Sequence, residues 1–131
     1  MNKRENKIIL FLLNDTDPVL LRVVKNKFKK DAGWESVIAT KYDEAMSLFM
    51  ENKPDGVLTE IIIGDDKGRT GFDFIEEINN KEKLHKSQVV IFTELSQDDD
   101  RGKAERLGVK HYFVKSKITL NELIKEINNI I

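Results

Sequence analysis

Short apolar blocks recur along the chain at intervals that leave room for a helix between each pair. Ile8-Ile9-Leu10-Phe11-Leu12-Leu13 is unbroken and is closed sharply by Asn14-Asp15-Thr16-Asp17-Pro18. Residues 57–63 form a second block, framed by Pro54-Asp55-Gly56 before it and Gly64-Asp65-Asp66 after it, with one carboxylate, Glu60, set near its end. Val89-Val90-Ile91-Phe92-Thr93 is a third. Continuous apolar runs of this length suit strands buried on both faces of a parallel sheet. Residues 109–114 read as a further strand, and the more polar 34–39 as one at or near a sheet edge.

Between these blocks the period changes to that of a helix. Asp17 followed by Pro18 is a helix start, a capping oxygen before a proline whose missing N–H costs nothing at the first position. Leu20, Val23, Val24 and Phe28 then face inward and Lys25, Lys29 and Lys30 outward, until Gly33 ends the helix. A second helix starts at Asp43, turns Ala45, Leu48 and Phe49 inward and ends before Pro54. Residues 64–70 hold no apolar side chain and read as a loop, followed by a helix with Phe72, Ile75 and Ile78 inward. The stretch 97–107 offers only Ala104 and Leu107 to a core and carries Gly102 inside, so it is expected to be the least stable helix. Thr119-Leu120-Asn121-Glu122 matches a capping box, and Leu120, Leu123, Ile124, Ile127 and Ile131 form the stripe of the last helix.

Five strands alternating with five helices predict an α/β fold: a doubly wound five-stranded parallel sheet of order 2-1-3-4-5, with helices on both faces. No repeat, low-complexity tract or linker divides residues 1–131, so a single domain is expected. Its 131 residues suffice for a real core, and 40% hydrophobic with 34% charged residues is ordinary for a globular chain. The absence of cysteine excludes disulfides and thiolate metal sites. Lys plus Arg (22) against Asp plus Glu (23) leaves a net charge of −1, which gives no electrostatic reason to expect a nucleic-acid partner. The longest apolar run is too short to span a membrane, and the basic first residues lead into no signal peptide. A cytoplasmic protein without a membrane partner is expected.

Open sheets of this kind keep their ligands outside the carboxyl ends of the strands. Strand 1 delivers Asp15, Thr16 and Asp17 to that edge, strand 3 Glu60, strand 4 Thr93 and strand 5 Lys115. A lone acid in an apolar strand is costly to bury unpaired, which places Glu60 where the strand ends. Carboxylates, a hydroxyl and an ammonium at one crevice suit a hard cation and a phosphoryl-like group. The plainer reading is a set of solvated strand ends in which Lys115 merely pairs an acid. The convergence of all four strand ends favours a shared site. No dinucleotide fingerprint, P-loop or nucleophile elbow is present, and neither His85 nor His111 has a partner suggesting catalysis, so no enzyme is expected. The run Asp98-Asp99-Asp100 opens a helix, where its charge suits the macrodipole.

LLNDTDP after strand 1, PDGVLTE at strand 3, GFDFIEEI opening helix 3, VVIFTE at strand 4 and LGVKHYFVKS into strand 5 together carry a resemblance. Over essentially its whole length the chain resembles the receiver domains of two-component response regulators, a flavodoxin-like fold. The resemblance implies an acidic pair binding Mg²⁺, an aspartate at the end of strand 3 taking phosphoryl from a histidine kinase, and phosphate contacts from strands 4 and 5. Thr93 and Lys115 match those contacts, Tyr112 the aromatic position that rotates on activation, and Asp15 the first of the acidic pair. Thr16 stands at the second acidic position and Glu60 at the phosphoacceptor position. Ser116 replaces the usual proline, and the loop 64–70 is longer than usual.

These departures imply at most a weak Mg²⁺ site formed by Asp15, Asp17 and Glu60, with Asp17 either a substitute ligand or only the helix cap. Asp65 and Asp66 either supplement that site or are simply solvated. The expected function is a phosphorylation-independent signalling module acting through protein–protein interaction. In it Glu60 either imitates the phosphorylated state or only locks the fold by pairing with Lys115. The alternative is a Mg²⁺-dependent receiver that accepts phosphoryl. The resemblance implies a histidine kinase or a downstream signalling protein as partner. Contact, and possible homodimer formation, would use the face of helix 4, strand 5 and helix 5, including Tyr112 and Lys117. The sequence leaves open a stand-alone domain or one part of a longer chain.

Overall fold

A central strand, β1 (Ile8–Leu12), hydrogen-bonds on one side to β2 (Glu35–Ala39) and on the other to β3 (Gly56–Thr59). β4 (Gln88–Thr93) and β5 (His111–Val114) complete a parallel sheet of order β2-β1-β3-β4-β5, as expected. The computed structural model describes residues 7–14, 16, 18, 21–26, 33–81 and 88–131. Asp15, Asp17, Leu20, Phe28, Lys29, Lys30 and His85 lie outside the described residues. Among the described residues the helices are α1 (residues 18 and 21–26), α2 (Tyr42–Asn52), α3 (Gly71–Asn80), α4 (Asp98–Arg106) and α5 (Leu120–Ile130), with a short 3₁₀ turn at Lys115–Lys117.

The pleat sorts alternate strand residues into two cores. Ile9, Phe11, Leu58, Val90 and Phe92 pack against Val24 of α1 and Leu123, Ile124 and Ile127 of α5. Leu10, Leu12 and Val57 face the other way, onto Ala45 and Phe49 of α2 and Phe74 and Ile78 of α3. Ile91 extends that second face to Ile75 of α3 and Ala104 of α4. The reading of α5 holds: Thr119 and Glu122 form the capping box, and the expected stripe supplies the buried Leu123, Ile124 and Ile127.

β3 is shorter than the apolar run predicts. Its ladder stops at Thr59, paired with Leu12 and Ile91, and the Glu60 amide makes the last bond, to Leu12 O. Beyond it the amide of Ile61 is taken by the Glu60 side chain and the Ile61 carbonyl by the amide of Gly71. The chain therefore leaves the sheet although the residues stay apolar: Ile61 and Ile63 are 2% and 3% exposed, Ile62 is 52% exposed. α2 starts one residue before the expected Asp43, because Tyr42 is buried against Phe74 at a ring distance of 5.7 Å.

α4 buries only Ala104, with Leu107 half-buried behind it. A Cβ on Gly102 would meet nothing nearer than the Arg106 guanidinium at 3.4 Å, the movable end of a long side chain. Gly102→Ala is therefore expected to stabilise the domain by about 0.5–1 kcal/mol in urea denaturation. A loss of stability would contradict the regular helix drawn here. Among the described residues no helix is long and apolar enough to cross a membrane.

Candidate functional site

Where β3 leaves the sheet, Glu60 is 6% exposed, one of three buried polar residues, with Thr59 and Thr93, among the described residues. Lys115 follows the end of β5, two strands away, and its Nζ reaches Glu60 Oε1 at 2.8 Å, with 18% of the lysine side chain exposed. The other carboxylate oxygen accepts from the Ile61 amide at 2.7 Å. Lys115 Nζ also lies 5.6 Å from the centre of the Phe92 ring. A carboxylate with little access to water is thus met by one full charge and one N–H, as burial requires.

The pair forms one wall of a crevice of about 290 Å³, which Asn14, Thr16, Ile62, Thr93 and Leu95 also line. The structure thereby brings Thr16, Glu60, Thr93 and Lys115 to one crevice. Asn14 has a part that sequence reading missed. Its amide donates to Ile62 O at 3.0 Å and its carbonyl accepts from Thr16 N at 3.0 Å, so it ties the end of β1 to the segment after β3. The available signal was an Asn ending an apolar run, a residue suited to local backbone bonding.

Thr93 Oγ1 accepts from Leu95 N at 3.3 Å, and Leu95 O accepts from the Tyr112 hydroxyl at 2.7 Å. The Arg101 guanidinium lies 4.8 Å from the Tyr112 ring centre. Burial raises the Tyr112 hydroxyl above its ordinary value, Asp100 and Glu60 push the same way, and Arg101 opposes them. The phenol is therefore a donor at neutral pH. Tyr112→Phe removes that donor and leaves the Leu95 carbonyl short of a partner. The expected cost is about 0.5–1.5 kcal/mol in urea denaturation, and an unchanged midpoint would show that the bond does not form in solution.

Asp65 is neither solvated nor part of the crevice. Its carboxylate accepts from Arg69 Nε at 2.8 Å and Nη2 at 2.9 Å, and from the amides of Lys67 and Arg69 at 3.0 and 3.1 Å. The Arg69 hydrogen bonds hold it well below the usual carboxylate range.

The donor chemistry does not fit a Mg²⁺ site among the described residues. Both Glu60 oxygens carry a donor, Ile62 O is taken by Asn14, and Thr16 brings no charge. No group of three carboxylate or imidazole side chains gathers there among the described residues. The two other acids of the predicted metal set, Asp15 and Asp17, lie outside the described residues.

Solved structures with similar folds include chemotaxis protein CheY4 of Vibrio cholerae, with a TM-score of 0.81 at 17% identity over 96% of this chain and 99% of that one. A DNA-binding response regulator of the LuxR family from Staphylococcus aureus gives 0.81 at 22% identity over 95% and 98%. The BeF₃-activated N-terminal receiver domain of RstA from Klebsiella pneumoniae gives 0.79 at 20% identity over 94% and 97%. At such identities the likeness shows the fold. The family model of the response regulator receiver domain matches residues 11–128, from within β1 to within α5. By that match this chain belongs to the family of response regulator receiver domains.

Proposed function

We propose that this domain is a receiver that signals without being phosphorylated, acting through protein–protein contact and not as an enzyme. The observation that carries this reading is the ion pair of 2.8 Å between Lys115 and Glu60, with the remaining Glu60 oxygen held by a backbone amide. Glu60 stands where the family expects its phosphoaccepting aspartate. Phosphoryl transfer depends on positioning and charge stabilisation, and glutamate carries its carboxylate one methylene further out. Here that extra reach is spent on Lys115. The crevice then holds one permanent negative charge where a phosphoryl group would bring about 1.5–2.

Thr16 in place of an acid supports the same reading, because its hydroxyl brings no charge to the position where the family has a metal-binding carboxylate. The partner in this reading is a histidine kinase or a downstream signalling protein. The face of α4, β5 and α5 is the proposed contact surface, where a groove of about 530 Å³ runs between Arg101, Tyr112, Lys117 and Lys125. That surface is also the one on which a homodimer would form.

Incubation with phosphoramidate and Mg²⁺, followed by intact-mass measurement, tests the reading. The expected result is an unmodified chain. A stable phosphoryl adduct lost in Glu60→Gln would overturn it in favour of a Mg²⁺-dependent receiver that uses Glu60 as acceptor.

A further inference from the structure

The loop between β3 and α3 is longer than its family's usual one, yet the structure ties it down from three sides. Arg69 takes Asp65 in a bidentate grip, with Nε to Oδ2 at 2.8 Å and Nη2 to Oδ1 at 2.9 Å. Its third nitrogen, Nη1, reaches Asp43 Oδ1 at 3.0 Å, on the first turn of α2. The guanidinium lies 3.9 Å above the Tyr42 ring. Tyr42 is itself fixed by its hydroxyl, which donates to Glu77 Oε1 at 2.6 Å, and by its edge-on packing against the fully buried Phe74. A planar fork that pairs two carboxylates and stacks on an aromatic ring is a geometry that lysine does not reproduce.

The loop end nearest Arg69 runs into α3, whose first residue is bonded to the residue after Glu60. Thr70 caps α3 with Asp73, and the Gly71 amide bonds to Ile61 O at 2.8 Å. At the end of β4, by contrast, little holds the β4–α4 segment. Leu95 has the two bonds to Thr93 and Tyr112, and α4 buries one residue.

We propose that Arg69 is a clasp, a positioning residue that joins the loop 64–70 to the start of α2 and fixes the segment on which Glu60 stands. This inference needs only the geometry above and holds whether or not the domain accepts phosphoryl.

Amide hydrogen exchange on the native domain, Arg69→Lys and Arg69→Met tests it. In the native protein residues 67–71 exchange more slowly than α4. In both variants exchange at 67–71 and in the first turn of α2 accelerates by about tenfold or more, while β1 and β4 keep their native rates and the Ile62 amide shifts in the NMR spectrum. Native-like exchange in Arg69→Lys would show that charge alone suffices and would overturn the clasp. Acceleration spread evenly over β1 and β4 would show a global loss of stability, and unchanged rates in Arg69→Met would show no tether; either result also overturns it.

Discussion

Lys115→Met is expected to destabilise the domain by about 2–4 kcal/mol at neutral pH. Methionine keeps the length and apolar stem of the lysine but leaves Glu60 with a single N–H at a site only 6% exposed. Breaking a fully buried pair by removing one partner costs about 3–5 kcal/mol. The partial exposure of Lys115 lowers the figure here, because water reaches the crevice. Urea denaturation of both proteins at neutral pH measures the cost, and equal midpoints would show that Glu60 does not depend on Lys115.

Gly71→Ala is expected to cost about 3 kcal/mol or more, although alanine is the better helix former. A Cβ at this first residue of α3 would lie 2.0 Å from the Glu60 carbonyl oxygen, with the Glu60 carbonyl carbon and Thr59 Oγ1 both at 3.0 Å. The nearest of these is backbone, so no rotamer change relieves the contact. Either α3 moves away or the backbone of Glu60 does, and the Gly71–Ile61 bond weakens in both cases. Overpacking alone costs about 1–3 kcal/mol, occasionally more, and the weakened bond adds about 1. The comparison with Gly102→Ala is diagnostic, since the same substitution is expected to stabilise there. Denaturation midpoints shifted in opposite directions are the predicted result. A gain at both glycines would mean that α3 does not approach Glu60 as described.

Much of this architecture is legible in the chain because burial on two faces demands long apolar runs. Ile8 to Leu13 and Val89 to Phe92 announce the central strands, and the more polar 34–39 announces an edge. Where apolarity outlasts the sheet, sequence reading overshoots. Ile61 and Ile63 are as buried as strand residues but belong to the segment packed beside α3, so composition gives no sign that the ladder has ended at Thr59. The site divides in the same way. Glu60, Thr93 and Lys115 converge because parallel strands end at one edge, which topology alone dictates, and the Glu60–Lys115 pair is one of two readings the residues allow. The bonds of Asn14 and the grip of Arg69 depend on partners in other elements. No local pattern distinguishes Asp65, which is clasped, from Asp66, which is exposed.

In the proposed reading the Glu60–Lys115 pair already fills the part that phosphoryl would take. Amide NMR of the native domain and of Glu60→Asp, titrated with Mg²⁺ and then with beryllofluoride, tests this. No specific shifts are expected in the native protein, and a response around Thr93 and Lys115 is expected when the shorter carboxylate frees the lysine. Specific shifts at Thr16, Thr93 and Lys115 in the native protein would contradict it and make this an ordinary phosphate-driven receiver.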